Sequence, residues 1–194
     1  MDGAYVVPAV TGRMDPLHAL VVAVWVMLPA YIPNNVAVLA GGGRPIDGGR
    51  HWGGRRILGD GKTWRGTLVG VAAGIVVAVG LNTINGTMSD VVSLWLPSFS
   101  WAIVVAFPAG ALLGDMTASF LKRRTGRERG AAFPVVDQLD FVVMALLLGA
   151  IVDLGWMQEV FTPLVLGIVV ILTPVLHVGT NVIAYQLDLK DEPW

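Results

Sequence analysis

Five apolar runs separated by polar or glycine-rich stretches set the pattern of this chain, at 17–39, 66–81, 99–121, 138–152 and 163–187. Most approach the ~20 residues that a membrane-spanning helix needs, the second and fourth being shorter and borrowing from their flanks. The first run is interrupted by Pro29, Pro33 and the pair Asn34-Asn35, the third by Pro108, Gly110 and Gly114, and the fifth by Pro174. The pattern predicts an all-α integral membrane protein with about five transmembrane helices, one polytopic domain over 1–194, and termini on opposite sides.

Composition strengthens that picture. The chain is 55% apolar and 14% charged, a balance rarely met in a soluble domain of this length. It has no cysteine, so disulfides and thiolate metal sites are excluded. The N-terminus has no basic region leading straight into an apolar core, and no cleaved signal peptide is expected.

Net charge is −1, and its distribution matters more than its sum. The first inter-run loop carries Arg44, Arg50, Arg55, Arg56, Lys62 and Arg65, the third carries Lys122, Arg123, Arg124, Arg127 and Arg129, and the tail adds Lys190. Stretches 82–98 and 153–162 have neither Lys nor Arg, and Arg13 alone precedes the first run. The positive-inside rule then puts the N-terminus outside, the C-terminus in the cytoplasm, and the functional loops, about 40–65 and 122–137, on the cytoplasmic side. Trp95, Trp101 and Trp156 fall where an outer aromatic belt is expected. The basic residues follow membrane orientation, and no nucleic-acid partner is expected.

The chemistry concentrates in 114–140. Asp115 lies within an apolar run, where an acid is expensive and by default functional. Ser119 and Lys122 share its helix face at i+4 and i+7, and Lys122 stands about 10 Å along the helix. Asp137 and Asp140, three apart, open the next run beyond the basic cluster. Acids bracketing cations suit a metal ion together with a polyphosphate, since Mg²⁺ takes hard oxygen ligands, usually one or two carboxylates plus substrate phosphates. Some of the loop arginines would do no more than meet anionic lipid headgroups.

The glycines of 40–65 can bring backbone N–H groups to an anion. Gly61-Lys62-Thr63 is not a P-loop, because Arg56 stands where the first glycine belongs and no strand precedes it. Thr63 instead suits the N-cap of the second helix. Gly66, Gly70 and Gly74 have small-xxx-small spacing, expected to pack that helix within the fold; a homodimer is left open. His177 and Asn181 suit interhelical hydrogen bonding, and Asn85-Gly86-Thr87 forms a glycosylation sequon in an expected outer loop.

Two motifs together resemble a known family. Ser119-Phe120-Leu121-Lys122-Arg123, a basic linker and Asp137-Gln138-Leu139-Asp140 are similar to the signature of the CDP-diacylglycerol synthase superfamily, with Gly114-Asp115 as its upstream acid. Lys62-Thr63-Trp64-Arg65-Gly66 resembles that family's Lys-Lys-Thr-Trp-Glu-Gly element. The short chain, the five runs and Gly41-Gly42-Gly43-Arg44-Pro45-Ile46-Asp47 resemble its archaeal branch, the CDP-archaeol synthases. The chain departs at Phe133-Pro134-Val135-Val136, where the larger family has His-Gly-Gly, at Gln138 for Arg, and at Arg65 for Glu.

The resemblance implies a CTP-dependent cytidylyltransferase that converts a lipid phosphate to a CDP-lipid and pyrophosphate. The implied acceptor is unsaturated archaetidic acid, 2,3-bis-O-geranylgeranyl-glycerol 1-phosphate, with phosphatidate as the alternative. It implies Mg²⁺ held by Asp115, Asp137 and Asp140, with Lys122 also catalytic. Nucleotide-binding roles fall to Lys62, Thr63, Arg65, Ser119, Lys122, Arg123 and Arg124. The partners are then CTP, the lipid phosphate and membrane lipids, and the place is the cell membrane. A transporter of phosphorylated solutes is the competing class, and fits less well because acids and cations gather on one face. A membrane scaffold would leave Asp115 unexplained.

Overall fold

A computed structural model describes residues 14–126 and 136–186. The elements are α1 (Pro16–Leu39), β1 (His51–Trp52), β2 (Arg55–Arg56), α2 (Trp64–Val92), α3 (Trp101–Arg124), α4 (Val136–Val152), α5 (Leu154–Val160) and α6 (Pro163–Gln186). Four helices, α1, α2, α3 and α6, are long and apolar enough to cross a membrane. The fourth apolar run is also a helix, α4, but its 17 residues make only about 25 Å. Large apolar side chains such as Leu68, Val76, Ile171 and Val175 point outward, as a lipid-facing surface requires. Arg13, Arg127, Arg129, Lys190 and Phe133 to Val135 lie outside the described residues.

Close helix contacts rest on glycine. Gly66, Gly70 and Gly74 face the carbonyl oxygens of Ala37, Pro33 and Pro29, each of which a Cβ would approach to 2.7 Å. Pro33 has no N–H to give the Pro29 carbonyl, which is therefore free to face Gly74. The small-xxx-small stripe thus packs α2 on α1 within the fold. Gly110 and Gly114 do the same for α3 against α4: a Cβ on Gly110 would lie 2.6 Å from the Ala145 Cα, and one on Gly114 would meet the Asp140 carbonyl. Pro108 does not end α3; it packs on Gly74 from the other side. Phe107, Met27, Ile103 and Val22 fill the core between these helices.

Two stretches differ from the sequence pattern. The outer loop expected over 82–98 is shorter, because α2 continues to Val92. Asn82 and Asn85 do not compete with the helix backbone there. Asn82 brackets the Phe99 backbone, accepting from its N–H (2.7 Å) and donating to its carbonyl (2.9 Å), while Asn85 donates to the Leu96 carbonyl. The sequon is therefore helical, with its asparagine engaged. At 29 residues, about 43 Å, α2 is longer than the ~30 Å hydrocarbon thickness of a bilayer. Trp25 and Trp156 donate to the Pro97 and Ser98 carbonyls, pinning the connection from α2 to α3.

At the opposite end the first basic loop is folded rather than a flexible connector. β1 and β2 pair antiparallel, His51 with Arg56 and Trp52 with Arg55. Gly53 (φ 59°) and Gly54 (φ 75°) make the two-residue turn, whose two positive φ values favour glycine. Apart from this hairpin and a Pro45–Thr63 bridge, the regular secondary structure of the described residues is helical.

Candidate active site

Asp47 organises the loop that delivers Lys62. Its side chain is 1% exposed and accepts from the N–H groups of Gly49, Leu58 and Gly59 and from the Arg56 guanidinium (2.6 and 3.3 Å). The Arg56 guanidinium and these N–H groups hold its carboxyl well below the usual carboxylate range. A depressed folded value means that this stabilisation is complete above the unfolded pKa, near 4, and is lost only as pH falls through the lower folded one. Beyond Asp47, Ile46 N–H donates to the Lys62 carbonyl (2.8 Å) and Trp64 N–H to the Arg44 carbonyl (3.2 Å). Thr63 then caps α2, its buried hydroxyl accepting from Gly66 N–H at 3.1 Å. The lysine is thereby fixed at the head of α2.

Asp47→Ala removes charge-assisted bonds worth about 1.5–3 kcal/mol each. Its expected outcome is faster tryptic cleavage at Arg50, Arg55 and Arg56 as the loop loses its anchor, which limited proteolysis checks.

Lys62 reaches across to α3, where its Nζ lies 2.5 Å from Asp115 Oδ2. One turn past Ser119, Lys122 Nζ lies 2.7 Å from the Asp137 carboxylate at the start of α4. These four side chains are between 22 and 31% exposed, so the pairs are shielded from bulk water without being sealed from it. Asp140 adjoins Asp115 through the glycine contact of α3 with α4, and it lies within electrostatic reach of Asp115, Asp137 and Lys62. It makes no ion pair among the described residues. The acids and lysines singled out from sequence thus lie at one end of the bundle, drawn from three separate segments.

The remaining expected nucleotide-binding residues are placed differently. Arg65 donates to the Ala40 and Gly41 carbonyls and ties the end of α1 to the start of α2. Arg124 lies between the Trp52 and Phe120 rings (5.4 and 5.5 Å) and donates to the Trp52, Arg55 and Arg56 carbonyls. It clamps the hairpin to α3. Arg123 stands against Gly59, with its carbonyl accepting from Arg55. Ser119 is half-buried on the Asp115 face. The signal that Asp47 offers in the sequence is an acid within a glycine-rich turn.

Among the described residues no three His, Cys, Asp or Glu gather closely enough to hold a metal alone. The donors still fit a divalent cation that brings phosphate oxygens as its other ligands. The fit rests on the ion pairs: Asp115 and Asp137 each already hold a cationic group at contact distance.

Comparison with known proteins gives the family. The family model described as CarS-like, CDP-archaeol synthase, matches residues 17–194. The CDP-archaeol synthase of Haloarcula marismortui is 62% identical over 93% of this chain and 100% of that protein. The one from Halobacterium salinarum is 61% identical over the same shares. A solved structure of an intramembrane enzyme for archaeal membrane lipids biosynthesis superposes with a TM-score of 0.69 at 40% identity, covering 84% of this chain and 94% of that one. With the paired lysines and acids at one end of an apolar helical bundle, these matches show that the chain belongs to the CDP-archaeol synthase family.

Proposed function

We propose that the cytidylyl transfer of this family takes place at the basic end of the bundle, between the Lys62–Asp115 and Lys122–Asp137 pairs. The observation that carries this reading is their arrangement: two lysine–carboxylate pairs, with Asp140 within electrostatic reach, lie where α1 and α3 end and α2 and α4 begin. The reaction joins two anions. A phosphate oxygen of the lipid attacks the α-phosphorus of CTP in line, the bond to the β-phosphate bridging oxygen breaks, and pyrophosphate leaves with the electron pair. The acceptor is the archaeal ether-lipid phosphate, unsaturated archaetidic acid.

Lys62 and Lys122 exchange carboxylate for phosphate when the triphosphate enters, holding the β- and γ-phosphates and the departing pyrophosphate. Asp115 and Asp137, freed of the ammonium groups, would hold Mg²⁺, with Asp140 adding a further oxygen from α4. When bound, the ion would neutralise phosphate charge and stabilise what develops at the α-phosphorus. Thr63 can still donate its hydroxyl proton to an anion at the α2 N-terminus. No protein nucleophile is required. Arg65 and Arg124 act by holding the backbone that places Lys62.

In the membrane, α4 adds a fifth crossing, with the site cytoplasmic. Arg44, Arg50, Arg55, Arg56, Lys122, Arg123 and Arg124 all lie at one end, and the α2–α3 connection at the other has no Lys or Arg. A cysteine replacing exposed Asp90 is expected to react with an impermeant thiol reagent from outside, and one replacing exposed Thr125 is not; the reverse labelling contradicts the orientation. For the reaction, purified protein with CTP, Mg²⁺ and an ether-linked lipid phosphate is expected to release pyrophosphate faster than with phosphatidate. Equal or faster turnover on phosphatidate contradicts the acceptor assignment.

A further inference from the structure

Asn34 belongs to the part of α1 that faces the site. Its side chain lines a small cleft together with Lys62, Thr63, Thr67 and Asp115. Its Oδ1 is buried and has no hydrogen-bond partner among the described residues. An acceptor left in that state carries its desolvation penalty with nothing to offset it.

The packing does not account for the residue. The contact of α1 with α2 at this level is made by Pro33 and Ala37 against Gly70 and Gly66. The neighbouring Asn35 is exposed and donates to the Tyr31 carbonyl, so the two asparagines have separate roles. An apolar side chain would serve α1 better at position 34, both in helix propensity and in desolvation. Polar groups kept at such a cost mark function more often than stability.

The cleft indicates what the oxygen is for. Its cationic group, Lys62 Nζ, is engaged by Asp115, and the Thr63 hydroxyl accepts from Gly66 N–H. The same cleft as Asp115 holds a second hard oxygen, the Asn34 carboxamide, and carboxamide oxygens are ordinary ligands of hard divalent cations. Neither atom binds such an ion strongly alone, but a carboxylate and a carboxamide from two helices define one side of a site.

We propose that Asn34 Oδ1 supplies an oxygen, directly or through one water, to the divalent cation held at Asp115. The inference rests on the assignment of Asp115 as a cation ligand. Asn34 is then a binding residue whose unpaired state is relieved only when the ion is present.

The test is Mn²⁺–CTP titrated into the detergent-solubilised full chain without lipid phosphate, followed by the electron paramagnetic resonance signal of the unbound complex, alongside thermal unfolding. Asn34→Leu is expected to weaken Mn²⁺–CTP binding about tenfold, the size of effect that supporting groups have at metal sites. Its unfolding midpoint is expected to stay level or rise, because an unpaired oxygen is gone. Asn34→Asp restores an oxygen and is expected to bind at least as tightly as the native chain. Asp115→Asn is the control that separates the two assignments. If Asn34→Leu binds like the native chain while Asp115→Asn does not, the role of Asn34 is overturned and that of Asp115 stands. If Asp115→Asn also binds like the native chain, both assignments fall. A lowered unfolding midpoint in Asn34→Leu with unchanged Mn²⁺–CTP affinity would show a structural role and overturn the proposal.

Discussion

Asp115→Asn is expected to lower turnover at least about a hundredfold while the protein still inserts and unfolds at a near-native temperature. The side chain is partly buried on α3, paired with Lys62 and adjoining Asp140. Asparagine keeps the shape and one oxygen but removes the charge. That change leaves the Gly114 contact with α4 intact, so the bundle has no reason to loosen. It weakens the hold on a divalent cation and leaves Lys62 without its counter-ion. Pyrophosphate release beside a thermal melt separates the two effects. Native-level activity would contradict the assignment; a melt lowered in parallel with activity would mean that the acid serves the fold.

The second large effect concerns the two lysines. Losing a charge-assisted contact to a partly desolvated phosphate costs roughly 1.5–3 kcal/mol, or about ten- to a hundredfold. Lys62→Ala and Lys122→Ala are each expected to weaken use of CTP at least about tenfold on that basis. Arg127→Ala and Arg129→Ala, in the stretch outside the described residues, are expected to change it by less than about threefold, since they stand farther along the chain from Asp115 than Lys122 does. Calorimetric titration of Mg²⁺–CTP into each variant decides between them. If the arginines cost as much as the lysines, the triphosphate is held above the membrane and the ion pairs are not its seat.

The legible parts of this molecule were those governed by short-range rules. Glycines four apart announced the close approach of α2, and Thr63 before an apolar run announced a helix cap. Asp115 in an apolar run carried its own signal. Lys62 with Asp115 and Lys122 with Asp137 were expected at one site, but their pairing was not readable, because each partner has its own reason to stand at a membrane boundary. Distance in sequence hides what packing brings together; Lys62 and Asp115 are 53 residues apart. The continuation of α2 past Leu81 was hidden for a different reason. A polar stretch with two asparagines reads as a loop until Phe99 and Leu96 are seen to take their side chains. Asp47 and Asn34 were obscured because burial, which gives each its meaning, is a property of the folded loop and cleft.

The most direct test of the central claim, that Asp115 holds the divalent cation used in cytidylyl transfer, exploits the absence of cysteine from the chain. Asp115→Cys introduces a single thiol at the proposed ligand position. The account predicts that initial rates of pyrophosphate release fall to background with Mg²⁺, a hard ion that thiolate serves poorly, and recover in part with Cd²⁺, which prefers sulfur. Native-level rates with Mg²⁺ in the Asp115→Cys protein would contradict it.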